Sequence, residues 1–135
     1  MRIAPDTNVL ISAFATRGLS SDVLNLVLSD HQLVLGETVL SELGRVLRAK
    51  FKVPADIIEE TAAFLRSQAV VVSSAPPLDL PIRDKDDVPV LSEAAHGLAE
   101  LFVTGDQDLL SIAEHAPLPI LSPRGFWERF RSRSD

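Results

Sequence analysis

The chain has 135 residues, 46% of them hydrophobic and 24% charged, with a formal net charge of −6 and no cysteine. That size and composition fit one globular domain with a real core, and the missing thiols exclude disulfides, thiolate nucleophiles and cysteine-based zinc or iron–sulfur sites. The negative balance argues against adsorption to nucleic acid by the whole surface, and no apolar run approaches the ~18 residues needed to cross a membrane.

Arg2–Pro5 reads as a short first strand, followed by a loop at Asp6–Asn8 and the apolar run Val9–Ala13. This opening lacks the basic and apolar regions of a signal peptide, so a cytoplasmic location is expected. Ser20 or Ser21 can cap a helix running to Asp30, with Val23, Leu24, Val27 and Leu28 on one face. Gln32–Leu35 is a brief strand ended by Gly36. Thr38 opens a helix in which Val39, Leu40, Leu43, Val46 and Leu47 recur at helical spacing. Gly44 lies inside that helix at a cost of up to ~1 kcal/mol relative to alanine. Pro54 begins another helix, with Ile57, Ile58, Ala62 and Leu65 on its apolar side.

Val70–Ser73 is β-branched and short, a third strand. The proline-rich stretch Pro76–Pro81 can be neither helix nor central strand and reads as a loop. A helix is expected over Val88–His96, with Pro89 in its first turn and Gly97 as its stop. Leu101–Thr104 reads as a buried strand, Leu109–His115 as a short helix, Leu118–Leu121 as a final strand and Pro123–Phe130 as a closing helix. Strands alternating with helices predict a single α/β domain over 1–135, with a central, mostly parallel sheet of about five strands covered on both faces.

Acidic residues recur where these elements begin, end or pass. In an open parallel α/β sheet, ligands bind beyond the carboxyl ends of the strands. Asp6 follows the first strand and Asp106 the fourth, so both point to that edge. Glu42 sits beside the buried stripe of its helix, and Asp87 falls at the start of the helix after the proline-rich loop. Adjacent carboxylates raise each other's pKa unless a cation intervenes. All-oxygen donors favour Mg²⁺ or Mn²⁺ over zinc, and such a cation can activate water for attack on a phosphate. Each acid also has a plainer role open to it. Asp6 could make an Asx-turn, Glu42 could be a surface residue, Asp86 or Asp87 could cap a helix, and Asp108 could cap the helix at Leu109. Asp106 is then left without a capping role.

Two basic groups, Arg45/Arg48/Lys50/Lys52 and Arg124/Arg129/Arg131/Arg133, are either solvated faces or a backbone path for a polyanion. Arg45 and Arg48 lie one and nearly two turns beyond Glu42, and Arg45 could equally pair with Glu42 or Glu59. Phe14, Phe51 and Trp127 could stack on bases but read better as core or interface. His31, His96 and His115 read as structural or exposed.

Taken in order, Asp-Thr-Asn-Val-Leu, Ser-Glu-Leu, Asp-Asp before Val-Leu-Ser-Glu-Ala-Ala, and Val-Thr-Gly-Asp-Gln-Asp-Leu-Leu resemble the motifs of the PIN-domain family. The closing Leu-Ser-Pro-Arg-Gly-Phe resembles the toxin-like subgroup that includes the VapC ribonuclease toxins. The resemblance spans essentially the whole chain. It implies a three-layer α/β/α fold and a Mg²⁺- or Mn²⁺-dependent endoribonuclease that hydrolyses RNA phosphodiester bonds by metal-activated water. Carried over by position, the catalytic and metal-binding acids would be Asp6, Glu42, Asp87 and Asp106, with Asp108 as an auxiliary metal-site acid. Asn8 and Thr104 would be polar supports. The loop here reads Arg-Asp-Lys-Asp-Asp-Val-Pro-Val-Leu, where the subgroup often has proline after the first Asp and a Lys-Phe pair before the Leu. The offset to Leu91 favours Asp87 as ligand and leaves Asp86 as the alternative. The subgroup also implies a cognate antitoxin protein and a homodimer. The alternative is a PIN fold that binds RNA or a protein without cleaving.

Overall fold

The computed structural model describes residues 1–131. Its sheet contains β1 (Arg2–Pro5), β2 (Gln32–Gly36), β3 (Ala69–Val72), β4 (Leu101–Val103) and β5 (Ile120–Leu121), in the order β3-β2-β1-β4-β5. Every pairing is parallel, with Ile3 opposite both Leu33 and Leu101. Seven helices alternate with the strands: α1 (Thr7–Ala15), α2 (Leu19–Asp30), α3 (Glu37–Phe51), α4 (Ala55–Gln68), α5 (Asp87–His96), α6 (Gln107–Ser111) and α7 (Pro123–Phe130). The chain works outward from β1 through β2 to β3, then returns to the other side of β1 for β4 and β5. Right-handed crossovers therefore send the intervening helices to opposite faces of the sheet.

Burial on both faces explains why the strands read as near-continuous apolar runs rather than alternating ones. Ile3, Leu33, Val34, Leu35, Leu101, Phe102 and Val103 are all buried, and Phe126 and Leu65 close the core from the helices. α5 lies against the sheet at Gly97. A Cβ there would meet Val72 Cγ2 at 2.6 Å and Val34 Cγ1 at 2.9 Å. Gly97→Ala is therefore expected to destabilise the protein by about 1–3 kcal/mol, read as a lower urea midpoint with an unchanged slope.

Several boundaries differ from the sequence reading, each for a local reason. Asp6–Asn8 is not a loop: α1 starts at Thr7, because the Asp6 carboxylate accepts the Thr7 N–H and caps the helix immediately after β1. α2 starts at Leu19 behind Gly18, not behind a serine cap. β3 begins one residue early, at Ala69, and ends at Val72. The helix expected over Leu109–His115 is two pieces, α6 from Gln107 and a 3-10 turn at Ala113–His115. β5 is only two residues long. α7 begins as expected, with the Ser122 hydroxyl accepting the Gly125 N–H ahead of Pro123.

Phe14 and Phe51 are not core residues, being 41% and 48% exposed. His31 packs edge-on against Phe126 and Phe130, while His96 and His115 are exposed. Arg133, counted in the second basic group, lies outside the described residues. Among the described residues no helix is long and apolar enough to cross a membrane.

Candidate metal centre

The strand order reverses between β1 and β4, and the crevice beyond their carboxyl ends is where an open α/β sheet offers a ligand site. Asp6 leaves β1 and Asp106 leaves β4 directly into that crevice. Asp6 is buried, 5% exposed, and held on three sides. Its Oδ1 accepts the Thr7 N–H at 2.8 Å. Its Oδ2 accepts from Thr104 Oγ1 at 2.7 Å and from Asn8 Nδ2 at 3.1 Å. A carboxylate offers about four acceptor positions, so roughly one remains open.

Thr104 and Asn8, expected as polar supports, are both bonded to Asp6. The fully buried Thr104 hydroxyl also accepts the Asp106 N–H at 3.0 Å. Asn8 Oδ1 accepts the Gly105 N–H at 3.1 Å, tying the start of α1 to the turn after β4. Among the described residues, the one buried side-chain oxygen without a hydrogen-bond partner is Thr7 Oγ1, next to Asp6 in the chain.

Asp106 is the cap of α6: its Oδ1 accepts the Asp108 N–H at 2.9 Å. This corrects the expectation that Asp108 fills that role and leaves Asp106 free. A carboxylate one residue before the helix is placed to cap it, and the helix simply begins two residues earlier than its apolar pattern suggested. Asp108 pairs weakly with Arg83 at 3.9 Å. Asp86 occupies the capping position of α5 without making a side-chain cap. Its N–H is instead taken by Asp84 Oδ1 at 2.9 Å.

Two of the four candidate carboxylates, Asp6 and Asp87, respond to the acids around them. Burial raises the Asp6 pKa above the ordinary carboxylate value, and repulsion from Glu42 and Asp106 adds to the rise, against the hydrogen bonds from Thr104 and Thr7. Asp87 is pushed up to about 7, first by desolvation and then by Asp106, Asp6, Asp84 and Glu42. Glu42 is half-buried, and its Oε2 lies 3.7 Å from the exposed Arg45 guanidinium, a contact too solvated to neutralise it. Among the described residues no three acid side chains stand close enough to chelate an ion as placed. The donor chemistry nevertheless fits a hard divalent cation: oxygen ligands only, with four mutually repelling charges that one cation would relieve.

Beside these acids a cleft of about 510 Å³ runs between α3 and α5, with Thr38, Ser41, Glu42 and Arg45 on one wall and Asp86 and Glu93 on the other. Glu93 was not singled out in the sequence. It is only 7% exposed and bonded to Thr38 through both carboxylate oxygens. The available signal was an acid flanked by the apolar Val90, Leu91 and Ala94 on one short helix. Its neighbour Ser92 donates to the Val88 carbonyl and accepts the Leu78 N–H at 2.9 Å, anchoring the proline-rich loop to α5.

An all-parallel α/β sheet with carboxylates gathered at its carboxyl edge defines the class of protein first: an acid-site α/β domain. The chain belongs to the PIN-domain family, whose PIN domain profile matches residues 2–108. Two solved structures share its fold. VapBC2 from Rickettsia felis, bound to a DNA fragment from their promoter, superposes with a TM-score of 0.64 at 16% identity, covering 90% of this chain and 98% of that one. VapBC-1 from nontypeable Haemophilus influenzae superposes at 0.63 with 15% identity, covering 92% and 99%. No protein of curated function matches the sequence.

Proposed function

We propose that the chain is a Mg²⁺- or Mn²⁺-dependent endoribonuclease acting as the toxin of a toxin–antitoxin pair. The observation that carries this reading is that Asp6 and Asp106 leave the paired strands β1 and β4 at one sheet edge, with the Thr104 hydroxyl donating to the Asp6 carboxylate and accepting the Asp106 N–H. When bound, the cation supplies a Lewis acid that lowers the pKa of a water and offsets charge on the phosphate. Asp6, Glu42, Asp87 and Asp106 would hold it, with Asp108 as an auxiliary acid and Asp86 as the alternative to Asp87. Thr104 and Asn8 fix the Asp6 carboxylate so that its remaining acceptor position faces one direction. The exposed Arg45 and Arg48 extend from Glu42 along α3 and suit the RNA backbone, since phosphate contacts dominate affinity.

Family membership supports the nuclease reading, and the fold shared with two VapBC structures supports a cognate antitoxin; a homodimer working in the cytoplasm belongs to the same proposal. One observation favours a second reading, a PIN fold that binds without cleaving: no three acids stand at chelating distance among the described residues. Metal removal separates the two. Purified protein is expected to cleave RNA with Mg²⁺ or Mn²⁺, to fall to background with a chelator, and to recover when either ion returns. RNA binding with no cleavage under any of these conditions would establish the second reading instead.

A further inference from the structure

Glu93 is a buried carboxylate that no step of the proposed chemistry uses. It belongs to α5, the helix that starts with Asp87, and reaches across the cleft to the first turn of α3, the helix that carries Glu42. Its Oε1 accepts the Thr38 N–H at 2.9 Å, and its Oε2 accepts from Thr38 Oγ1 at 2.5 Å. The start of α3 has no cap of its own. Gly36 occupies the capping position and offers no side chain, so an amide of the first turn is satisfied from another helix. The close approach depends on that glycine, because a Cβ on Gly36 would fall 1.9 Å from Glu93 Oε1 and 2.7 Å from Glu93 Cβ. The negative charge also suits the positive end of the α3 dipole.

Thr38 and Glu42 are four residues apart on α3 and therefore share a face. Fixing Thr38 fixes the rotation and the height at which α3 presents Glu42. Glu93 lies less than two turns beyond Asp87, so the same tie fixes α3 relative to the start of α5. Ligands for one ion must be held to about 0.5 Å, which two separately packed helices do not guarantee.

We propose that Glu93 is a positioning residue: by capping α3 from α5, it sets where α3 presents Glu42 relative to Asp87, and so how readily the two acids reach one divalent cation. This rests on the metal-dependent reading above and adds to it a residue outside the coordinating acids. Gly36 is its necessary counterpart, the position whose missing side chain admits the carboxylate.

The test is Mn²⁺ affinity of the folded protein by titration calorimetry, together with melting temperature and hydrogen exchange at the Thr38 amide. Glu93→Ala and Gly36→Ala disturb the same contact from opposite sides, and each is expected to weaken Mn²⁺ binding about tenfold, within the range typical of supporting residues. Both should speed exchange at Thr38. Glu93→Gln keeps an acceptor for the Thr38 N–H and is expected to stay within about threefold of wild type on the same scale. Thr38→Val, which removes only the hydroxyl side of the tie, is expected to weaken binding several-fold and decides the matter if Glu93→Ala does not fold.

A role confined to stability would lower the melting temperature and leave the Mn²⁺ affinity of the folded variants unchanged, and that result overturns the proposal. Wild-type protein that binds no Mn²⁺ overturns both the metal reading and this one. Wild-type protein that binds Mn²⁺ without cleaving RNA overturns the nuclease alone, and the affinity order of the variants still decides the role of Glu93.

Discussion

Asp6→Asn is expected to lower metal-dependent RNA cleavage by about two to three orders of magnitude, the scale of losing one preorganised electrostatic group. The melting temperature should stay within a few degrees of wild type, because two effects oppose each other. The amide keeps an acceptor for the Thr7 N–H but turns an NH₂ toward Asn8 Nδ2 and Thr104 Oγ1, which now donate to Asp6. The Thr104 hydroxyl can turn to accept from that NH₂, but the bond from Asn8 is lost, at a cost of about 1 kcal/mol. Against this, a buried charge disfavoured by desolvation and by Glu42 and Asp106 is removed. Cleavage assays on the purified variant, paired with calorimetry, separate loss of chemistry from loss of fold. Unchanged cleavage in a folded Asp6→Asn protein would exclude Asp6 as a ligand.

The second large effect is a dependence of stability on pH with a sign opposite to that of most salt-bridged carboxylates. The folded Asp87 pKa is raised from 3.8 to about 7. Between those values the unfolded chain has lost its proton while the folded chain keeps it, so stability falls as pH rises and is flat above the folded value. A shift of this size would be worth ~4 kcal/mol at 1.36 kcal/mol per unit. Solvent screening at a partly exposed group reduces it to about 1–2 kcal/mol.

The metal-free protein is therefore expected to melt roughly 5 °C lower at pH 8 than at pH 5, a difference that Asp87→Asn reduces or abolishes. Added Mn²⁺ should raise the melting temperature more at pH 8 than at pH 5, since the ion favours the ionised acids. Equal stabilisation at both pH values would detach Asp87 from the metal site. No change in the pH slope on Asp87→Asn would show that another group carries it.

Local signals made the architecture readable from sequence. Apolar runs such as Leu33–Leu35 and Leu101–Val103 have few alternatives to buried parallel strands. Asp6 and Asp106 followed from the rule that parallel sheets bind ligands at their carboxyl edge. Glu42 and Asp87 needed the family order of motifs, because nothing within α3 or α5 alone says that the two helices face each other. Sequence misread boundaries where one residue serves two elements: Asp6 ends β1 and caps α1, and Asp106 caps α6 while Asp108 only donates its N–H. Glu93 was missed for a different reason: its apolar neighbours Val90, Leu91 and Ala94 hinted at burial but not at a partner. Its partner is a backbone amide at Thr38, and no residue type in the sequence announces an uncapped helix start that another helix will satisfy.

The pairing of Ile3 with Leu101 bears on when the set of acids is completed, as well as on the shape of the sheet. The central strands of the sheet come from nearly opposite ends of the described chain, and closing so long a loop is entropically costly and slow compared with forming the helices between them. Asp106 lies just beyond that late-arriving strand, so no shorter stretch of polypeptide carries the whole set of acids. During synthesis the growing chain lacks the complete set of acids until β4 inserts beside β1. Cleavage of the chain anywhere between Asp6 and Asp106 followed by separation of the pieces would return it to that state.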